Sequence, residues 1–328
     1  MDNARGRTNN RTELGKAVTM TAGSRPSRVA VIGAGAAGLC AARHLLARGV
    51  DVTVLELGSC VGGLWVYEND SGRSPAYRSL HINSEAAVTA FEDFPFPAGT
   101  PLFPSHAEVR SYLEDYARAF GITPRIRFRT AVTAVEPLPA DRWLLRLGDG
   151  STEDVDAVVV ATGHQAEPSH PPFRDDFAGT YLHVHDYRVP EPFAGKRVLV
   201  VGTGNSAMDS AADLAGVAAT VAVVARSPVL IMPRMLFGVP TARVLARIER
   251  PWMPWALRRR LRVLLATIVH GRMERWGLTT PTTRTHPTGH ATIMSHAAYG
   301  RVVFRPGITA VRGTEVEFAD GRREEFDV

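Results

Sequence analysis

Cysteine is nearly missing from this chain: Cys40 and Cys60 are the only two in 328 residues. Two thiols cannot build a disulfide framework, and they read as those of a reduced, cytoplasmic protein. Lysine is equally sparse, with Lys16 and Lys196 alone, so arginine carries the basic balance. No apolar run approaches the ~18–20 residues of a membrane helix, and the N-terminus lacks the apolar core of a signal peptide. A dense field of one charge is absent too. Of the formal net +5, residues 1–27 hold +3 through Arg5, Arg7, Arg11, Lys16 and Arg25 against Asp2 and Glu13. The rest is dispersed, without a basic array interleaved with aromatics, which excludes a nucleic-acid footprint. The remaining composition, 45% hydrophobic and 22% charged, is that of a globular chain of about two domains. Residues 1–27 read as a disordered tail.

Order begins at Arg28. The stretch RVAVIGAGAAGLCAARHLLARGVDVTVLE reads as a buried strand, a glycine turn, an apolar helix and a second strand. Gly33, Gly35 and Gly38 form G-x-G-x-x-G where strand meets helix: one permits the tight turn, one lets the backbone approach a pyrophosphate, one allows close helix packing. The helix N-terminus, with Ala34, Ala36 and Ala37, offers amides and a positive dipole to phosphates. Glu56 closes the second strand, where an acid accepts ribose hydroxyls and repels a 2′-phosphate.

A second copy, KRVLVVGTGNSAMDSAADLAGVAATVAVVARS, follows. Gly202, Gly204 and Ala207 take the three small-residue places, with Asn205, Ser206, Met208 and Asp209 opening the helix. Its second strand ends in Arg226, whose guanidinium suits a 2′-phosphate. An acid-ended and an arginine-ended loop predict FAD at the first and NADPH at the second. Each unit is followed by an alternating segment, RIRFRTAVTAVEPLPADRWLLRLGDGSTEDVDAVVVATGH and RVVFRPGITAVRGTEVEFADGRREEFDV, that reads as an inserted β-meander. The fold class expected is therefore α/β, with two Rossmann-like dinucleotide-binding domains.

The whole of 28–328 resembles the flavin-containing monooxygenases, an NADPH- and oxygen-dependent family. The resemblance rests on GGLW (Gly62–Trp65), on YRSLHINS followed by FEDFPFP, and on the helix FPSHAEVRSYLEDYARAFG with its Ser105–Glu108 capping box. It rests above all on F-x-G-x-x-x-H-x-x-x-Y, here Phe177, Gly179, His183 and Tyr187, the family's fingerprint. The resemblance implies a FAD domain over 28–176, a linker over 177–195, and an NADPH domain over 196–328 with an insertion at 229–300. It also implies that a closing segment of the FAD domain lies beyond Val328. On that expectation the 328-residue chain holds flavin poorly, and the flavin-to-protein ratio measures it.

The implied cofactor contacts add Gly63, Leu64, Trp65, Ile82, Ser84, Thr162 and Gly163, and Asn83 is the implied catalytic residue. In the family, flavin reduced by NADPH combines with O2 to give a C4a-hydroperoxide, which oxygenates amine nitrogen or sulfur of a small substrate. An amide at Asn83 would donate and accept hydrogen bonds there without taking the hydroperoxide proton. A Baeyer–Villiger or indole-pyruvate-type reaction, or an uncoupled nucleotide-binding fragment, are the alternatives. Baeyer–Villiger enzymes usually carry tryptophan at the place of Tyr187, and Ala86 stands where the family commonly has lysine. Cys60 has no partner for a redox disulfide. His183 and His185 lie two apart, but no Cys, Asp or Glu completes a metal set, so His183 is expected to anchor the linker. The arginine-rich insertion reads as a solvated helix over the cleft. A homo-oligomer is compatible with all of this, and no nucleic-acid partner is expected.

Overall fold

A computed structural model describes residues 27–285 and 287–328; the tail expected at 1–27 thus lies, but for Ser27, outside the described residues. The first unit grows from two short apolar runs. Strand β1 (Arg28–Ile32) and strand β2 (Asp51–Leu55) flank helix α1 (Ala36–Leu46), which lays Gly38, Leu39 and Ala42 on the sheet. Short helix α2 (Ala86–Thr89) precedes α3 (His106–Ala119). In α3 the Ser105 hydroxyl accepts from the Glu108 amide while the Glu108 carboxylate accepts from the Ser105 amide, a complete capping box. Its buried face is Val109, Tyr112, Leu113, Tyr116 and Ala117. Phe120 is the C-cap, and Gly121 beyond it takes the left-handed conformation (φ 64°).

The FEDFPFP stretch clamps this helix. Phe96 stacks on Tyr112 at 3.9 Å and Phe91 lies 4.4 Å from Tyr116. The Tyr112 hydroxyl donates to the Phe94 carbonyl (2.6 Å) and accepts from the Phe91 amide (2.8 Å).

Strand β3 (Ile126–Arg127) joins β2, and an antiparallel meander follows: β4 (Val132–Leu138), β5 (Arg142–Leu147) and β6 (Thr152–Val155). The chain then returns as β7 (Ala157–Val160). The parallel sheet has the order β3-β2-β1-β7, with Val29 opposite Val52 on one side and Ala157 on the other. Continuous valine-rich strands are what a sheet covered on both faces requires.

The second unit repeats the plan with β8 (Arg197–Val201), α4 (Asn205–Leu214) and β9 (Thr220–Val224). The following segment holds β10 (Ile231–Met232), a hairpin of β11 (Met235–Leu236) and β12 (Val239–Pro240), α5 (Thr241–Ile248), α6 (Trp255–His270) and β13 (Thr288–Gly289). Helix α7 (Ile293–Ala298) leads into β14 (Val302–Arg305), giving a parallel order β14-β9-β8. Because α7 packs on α4 as α3 packs on α1, the end of the 229–300 segment is the crossover of the second unit itself. A second meander closes the described chain: β15 (Ile308–Arg312), β16 (Glu315–Phe318) and β17 (Arg323–Glu325). Val328 then lies beside β8 in parallel register. Its amide donates to Arg197 O (3.2 Å), and its carbonyl accepts from the Leu199 amide (2.9 Å). The parallel place in the first unit is where β7 meets β1.

Candidate functional site

In the first glycine loop, Gly33 holds φ 105° and its amide donates to Leu55 O at 2.8 Å, so the turn is tied to the end of β2. A Cβ on Gly33 would lie 2.6 Å from the Ala161 carbonyl oxygen. Thr162 and Gly163, exposed just beyond β7, therefore stand over the turn. A Cβ on Gly38 would overlap the Gly33 carbonyl, whose carbon is 3.0 Å away. Only hydrogen fits there. Gly63 opens a short 3-10 turn with Leu64 and Trp65, and a Cβ on it would lie 3.1 Å from the Gly35 Cα. The two glycines face each other, and the space a side chain would fill is the kind a pyrophosphate backbone needs. Ala36 and Ala37 are exposed at the start of α1, where no acid opposes an anion.

Glu56 is buried at the end of β2, and both its oxygens are engaged: Oε2 accepts from the Ala34 amide (2.6 Å), Oε1 from the Gly58 amide (2.7 Å). Each carboxylate oxygen keeps a further lone pair, so Glu56 staples the loop and still has capacity for ribose hydroxyls. Ala34 itself is wholly buried.

The second loop is more open. Gly202 takes φ 121° and donates to Val224 O (3.1 Å), while Gly204 caps α4 with free space around it. Ser206 is exposed at the helix start, Ala207 half-buried, and the buried Asn205 Oδ1 has no partner among the described residues. Arg226 is exposed at the end of β9, with its Cγ 3.5 Å from where a Gly307 Cβ would stand, and no ion pair of the described residues holds it. Gly202, Thr203, Ala207, Arg226 and Ser227 share one cavity of about 880 Å³. Backbone amides of the glycine loop and a guanidinium on one cavity suit a phosphorylated dinucleotide.

Three expected contacts fall elsewhere. Met208 is fully buried in the core beneath α4, on the helix side away from the loop. Ile82 is also core, and its amide donates to Pro104 O (2.9 Å), so it offers the cofactor neither side chain nor amide. Asp209 turns into the seam between the two units. There one oxygen accepts from the Tyr77 hydroxyl (2.5 Å), and the other lies 3.0 Å from His290 Nε2. His290 Nδ1 accepts from the amides of Thr292 and Ile293, which fixes the tautomer with the proton on Nε2. Ser84 is half-buried with its hydroxyl 2.7 Å from that of Thr89.

Asn83 is exposed, and its Oδ1 accepts from Arg234 Nη2 of the second unit at 2.7 Å. A guanidinium is donor-only, so the amide must present its oxygen to Arg234 and its NH2 to the other side. One lone pair of the amide oxygen is thereby engaged and a second remains, so Asn83 can still both donate and accept at the site. Arg234 is itself held 3.5 Å from Asp209. Beside it, Arg243 forks onto the buried carboxylate of Glu85. Nothing local in the sequence singles out these arginines; the only signal is a guanidinium set in the apolar run LIMPRMLF.

The fingerprint acquires physical content. Phe177 packs in the second meander's core with Val311 and Val316. A Cβ on Gly179 would lie 2.6 Å from the Phe177 ring and 2.8 Å from the Asp327 carbonyl. His183 Nδ1 accepts from the His185 amide (3.0 Å), capping a 3-10 turn rather than lining a strand. Among the described residues no three His, Cys, Asp or Glu gather as a metal site. Tyr187 stacks on Phe193 and lies 6.0 Å from Tyr77; its hydroxyl donates to Asp213 (3.3 Å), which Ser79 also contacts. Burial pushes the Asp213 carboxyl above its ordinary range and both tyrosine hydroxyls well above theirs. The four positions therefore hold the linker in place, and three of them, Phe177, His183 and Tyr187, line the cavity with Arg226. Burial also raises the Cys60 thiol above its ordinary range.

Residues 26–328 match the family described as flavin-binding monooxygenase-like. Indole-3-pyruvate monooxygenase YUCCA1 of Oryza sativa subsp. japonica is 33% identical over 310 residues, covering 90% of this chain and 74% of that protein. Flavin-containing monooxygenase FMO GS-OX-like 3 of Arabidopsis thaliana is 39% identical over 233 residues, covering 62% of this chain and 52% of that one. The chain thus spans about half the length of several curated relatives it matches. Among solved structures, S-allyl-L-cysteine S-oxygenase from Allium sativum superposes with a TM-score of 0.65 at 28% identity, over 92% of this chain and 61% of that one.

Proposed function

The chain belongs to the flavin-binding monooxygenase-like family, whose cofactors are FAD and NADPH, and from that premise we propose that it oxygenates a nucleophilic nitrogen or sulfur of a small organic substrate. The observation that carries this reading is the pair of unlike glycine loops, one ended by Glu56 and one by Arg226, together with Asn83, which Arg234 of the second unit holds by its amide oxygen. When bound, flavin reduced by NADPH supplies the oxygen-activating chemistry. The chain's own contributions are separate. The Gly33–Gly38 loop and the Gly63 turn hold the flavin nucleotide, and Arg226 with the Gly202–Ala207 loop holds NADPH. Asn83 offers an oriented NH2 as a donor that takes no proton, and the Tyr77–Asp209–His290 and Tyr187–Asp213 contacts keep the two units in fixed apposition.

A second reading has its own support. The relative that covers most of this chain acts, by its name, on indole-3-pyruvate, so a 2-oxo acid is the other substrate class. Substrate-dependent NADPH consumption across amines, thioethers, ketones and 2-oxo acids, with product mass, separates the readings. An N-oxide or sulfoxide supports the first. A product shortened by loss of CO2 supports the second, and consumption yielding only hydrogen peroxide sinks both.

The Arg234–Asn83 contact makes a sharper expectation. Asn83→Ala leaves FAD bound but diverts NADPH equivalents into free hydrogen peroxide. Arg234→Met, which keeps the apolar stem and removes the donors, is expected to give a smaller increase of the same kind. In the Asn83→Ala background it should add nothing, because residues in one hydrogen-bonded unit are non-additive. Peroxide-to-NADPH ratios for the three variants measure this, and additive effects would separate Arg234 from Asn83.

A further inference from the structure

The segment that leads to Asn83 is anchored in both units. Tyr77 and Leu80 belong by sequence to the first unit. Yet Tyr77, 3% exposed, lies in the second unit's hydrophobic core, and Leu80 packs against that core. Ile82, two residues on, is buried in the first unit's core. The backbone there is tied to the first unit: the Ile82 amide donates to Pro104 O (2.9 Å), and Leu80 O accepts from the His106 amide (2.8 Å). The chain therefore crosses from one core to the other immediately before Asn83.

Apolar packing is non-directional and does not fix the angle of such a strap. Helix α4 supplies direction. Its acids Asp209 and Asp213 stand about one turn apart on one face. Asp213 accepts from the Ser79 hydroxyl, and Asp209 Oδ2 accepts from the Tyr77 hydroxyl (2.5 Å). The other oxygen of Asp209 lies 3.0 Å from His290 Nε2 and 3.5 Å from Arg234 Nη2. That same Arg234 nitrogen donates to Asn83 Oδ1. Asp209 thus meets both ends of residues 77–83, Tyr77 directly and Asn83 through one guanidinium. The side chains of Asp209 and Arg234 are only 14% and 12% exposed, so water competes weakly for these contacts. A residue that merely joined two units would need one partner across the boundary. Asp209 has two, and they converge on one segment.

We propose that Asp209 is a positioning residue for the oxygenation site: it holds Tyr77 and Arg234 together, and so sets where the Asn83 amide points. The inference rests on the role given above to Asn83.

Amide hydrogen exchange of the purified chain, without added cofactor, reads the segment itself. Asp209→Asn keeps the size, leaves one acceptor oxygen for Tyr77, His290 and Arg234, and removes the charge opposite the guanidinium. Peptides covering 77–83 are expected to exchange at least about tenfold faster in this variant, with α3 unchanged. Tyr77→Phe, which keeps the buried ring and removes only the hydroxyl, should give a smaller acceleration in the same peptides. Unchanged protection in both variants overturns the proposal. So does a loss spread evenly over α1, α3 and α4, which would make Asp209 a general stabiliser.

Peroxide-to-NADPH ratios on the flavin-loaded protein read the consequence. Asp209→Asn should raise the ratio about threefold or more and leave the KM for NADPH within about threefold, because the carboxylate is turned away from the glycine loop. In the Asn83→Ala background it should add nothing. A large rise in KM with coupling intact would return Asp209 to coenzyme contact, and extra peroxide in the Asn83→Ala background would show it acting elsewhere. Either result overturns the proposal. An Asn83→Ala protein that stays coupled would sink the role of Asn83 and the positioning role with it, whereas unchanged exchange at 77–83 sinks the role of Asp209 alone.

Discussion

Gly38→Ala is expected to abolish stable flavin binding. The new methyl would occupy the place of the Gly33 carbonyl and sit 3.4 Å from a Val31 methyl. Neither neighbour is the free end of a flexible side chain: one is backbone in a turn at φ 105°, the other a strand residue with no exposed surface. Helix α1 must therefore lift from β1. Overpacking of this kind costs roughly 1–3 kcal/mol of fold stability. The loss of cofactor is larger, because the displaced amides no longer converge on the pyrophosphate. The flavin-to-protein absorbance ratio after purification, with the melting temperature, reads both effects. Ala207 occupies the corresponding place in the second unit, so that loop already accommodates a methyl. Ala207→Gly should leave NADPH affinity within about threefold, since cavity relief at a half-buried alanine is small. Full flavin content in Gly38→Ala would mean that the first loop does not hold the cofactor through close helix approach.

Arg226→Ala should raise the KM for NADPH by about 10- to 100-fold and leave that for NADH nearly unchanged. The magnitude follows from losing charge-assisted hydrogen bonds to a phosphate, about 1.5–3 kcal/mol. The selectivity follows because NADH has no 2′-phosphate for the guanidinium to grip. The exposed Arg226 has no carboxylate partner among the described residues, so its removal unpairs nothing and stability should not change. Steady-state kinetics with both coenzymes checks it. Equal losses for NADH and NADPH would move Arg226 from the 2′-phosphate to a general role in the loop.

The parts of this protein legible from residue order are those in which neighbouring residues impose backbone geometry. A valine run followed by spaced glycines encodes a buried strand and a tight turn, and both loops fold as read, with Gly33 and Gly202 at positive φ. Ser105 and Glu108 encode their own helix start, and the two alternating segments encode their meanders. Terminal residues of opposite character, Glu56 and Arg226, could be assigned to unlike nucleotides because strand ends project where the loops open. What lies 151 residues apart could not be read. The Arg234–Asn83 contact exists only because the segment after β9 folds back over the seam, and that packing decides which way the amide faces. The same holds for Asp209, which stood among the expected cofactor contacts at the start of α4 but whose side chain is captured by Tyr77 and His290. Local pattern fixes backbone shape at short range, whereas side-chain partners depend on how the two units meet, and that is settled only when the chain is packed.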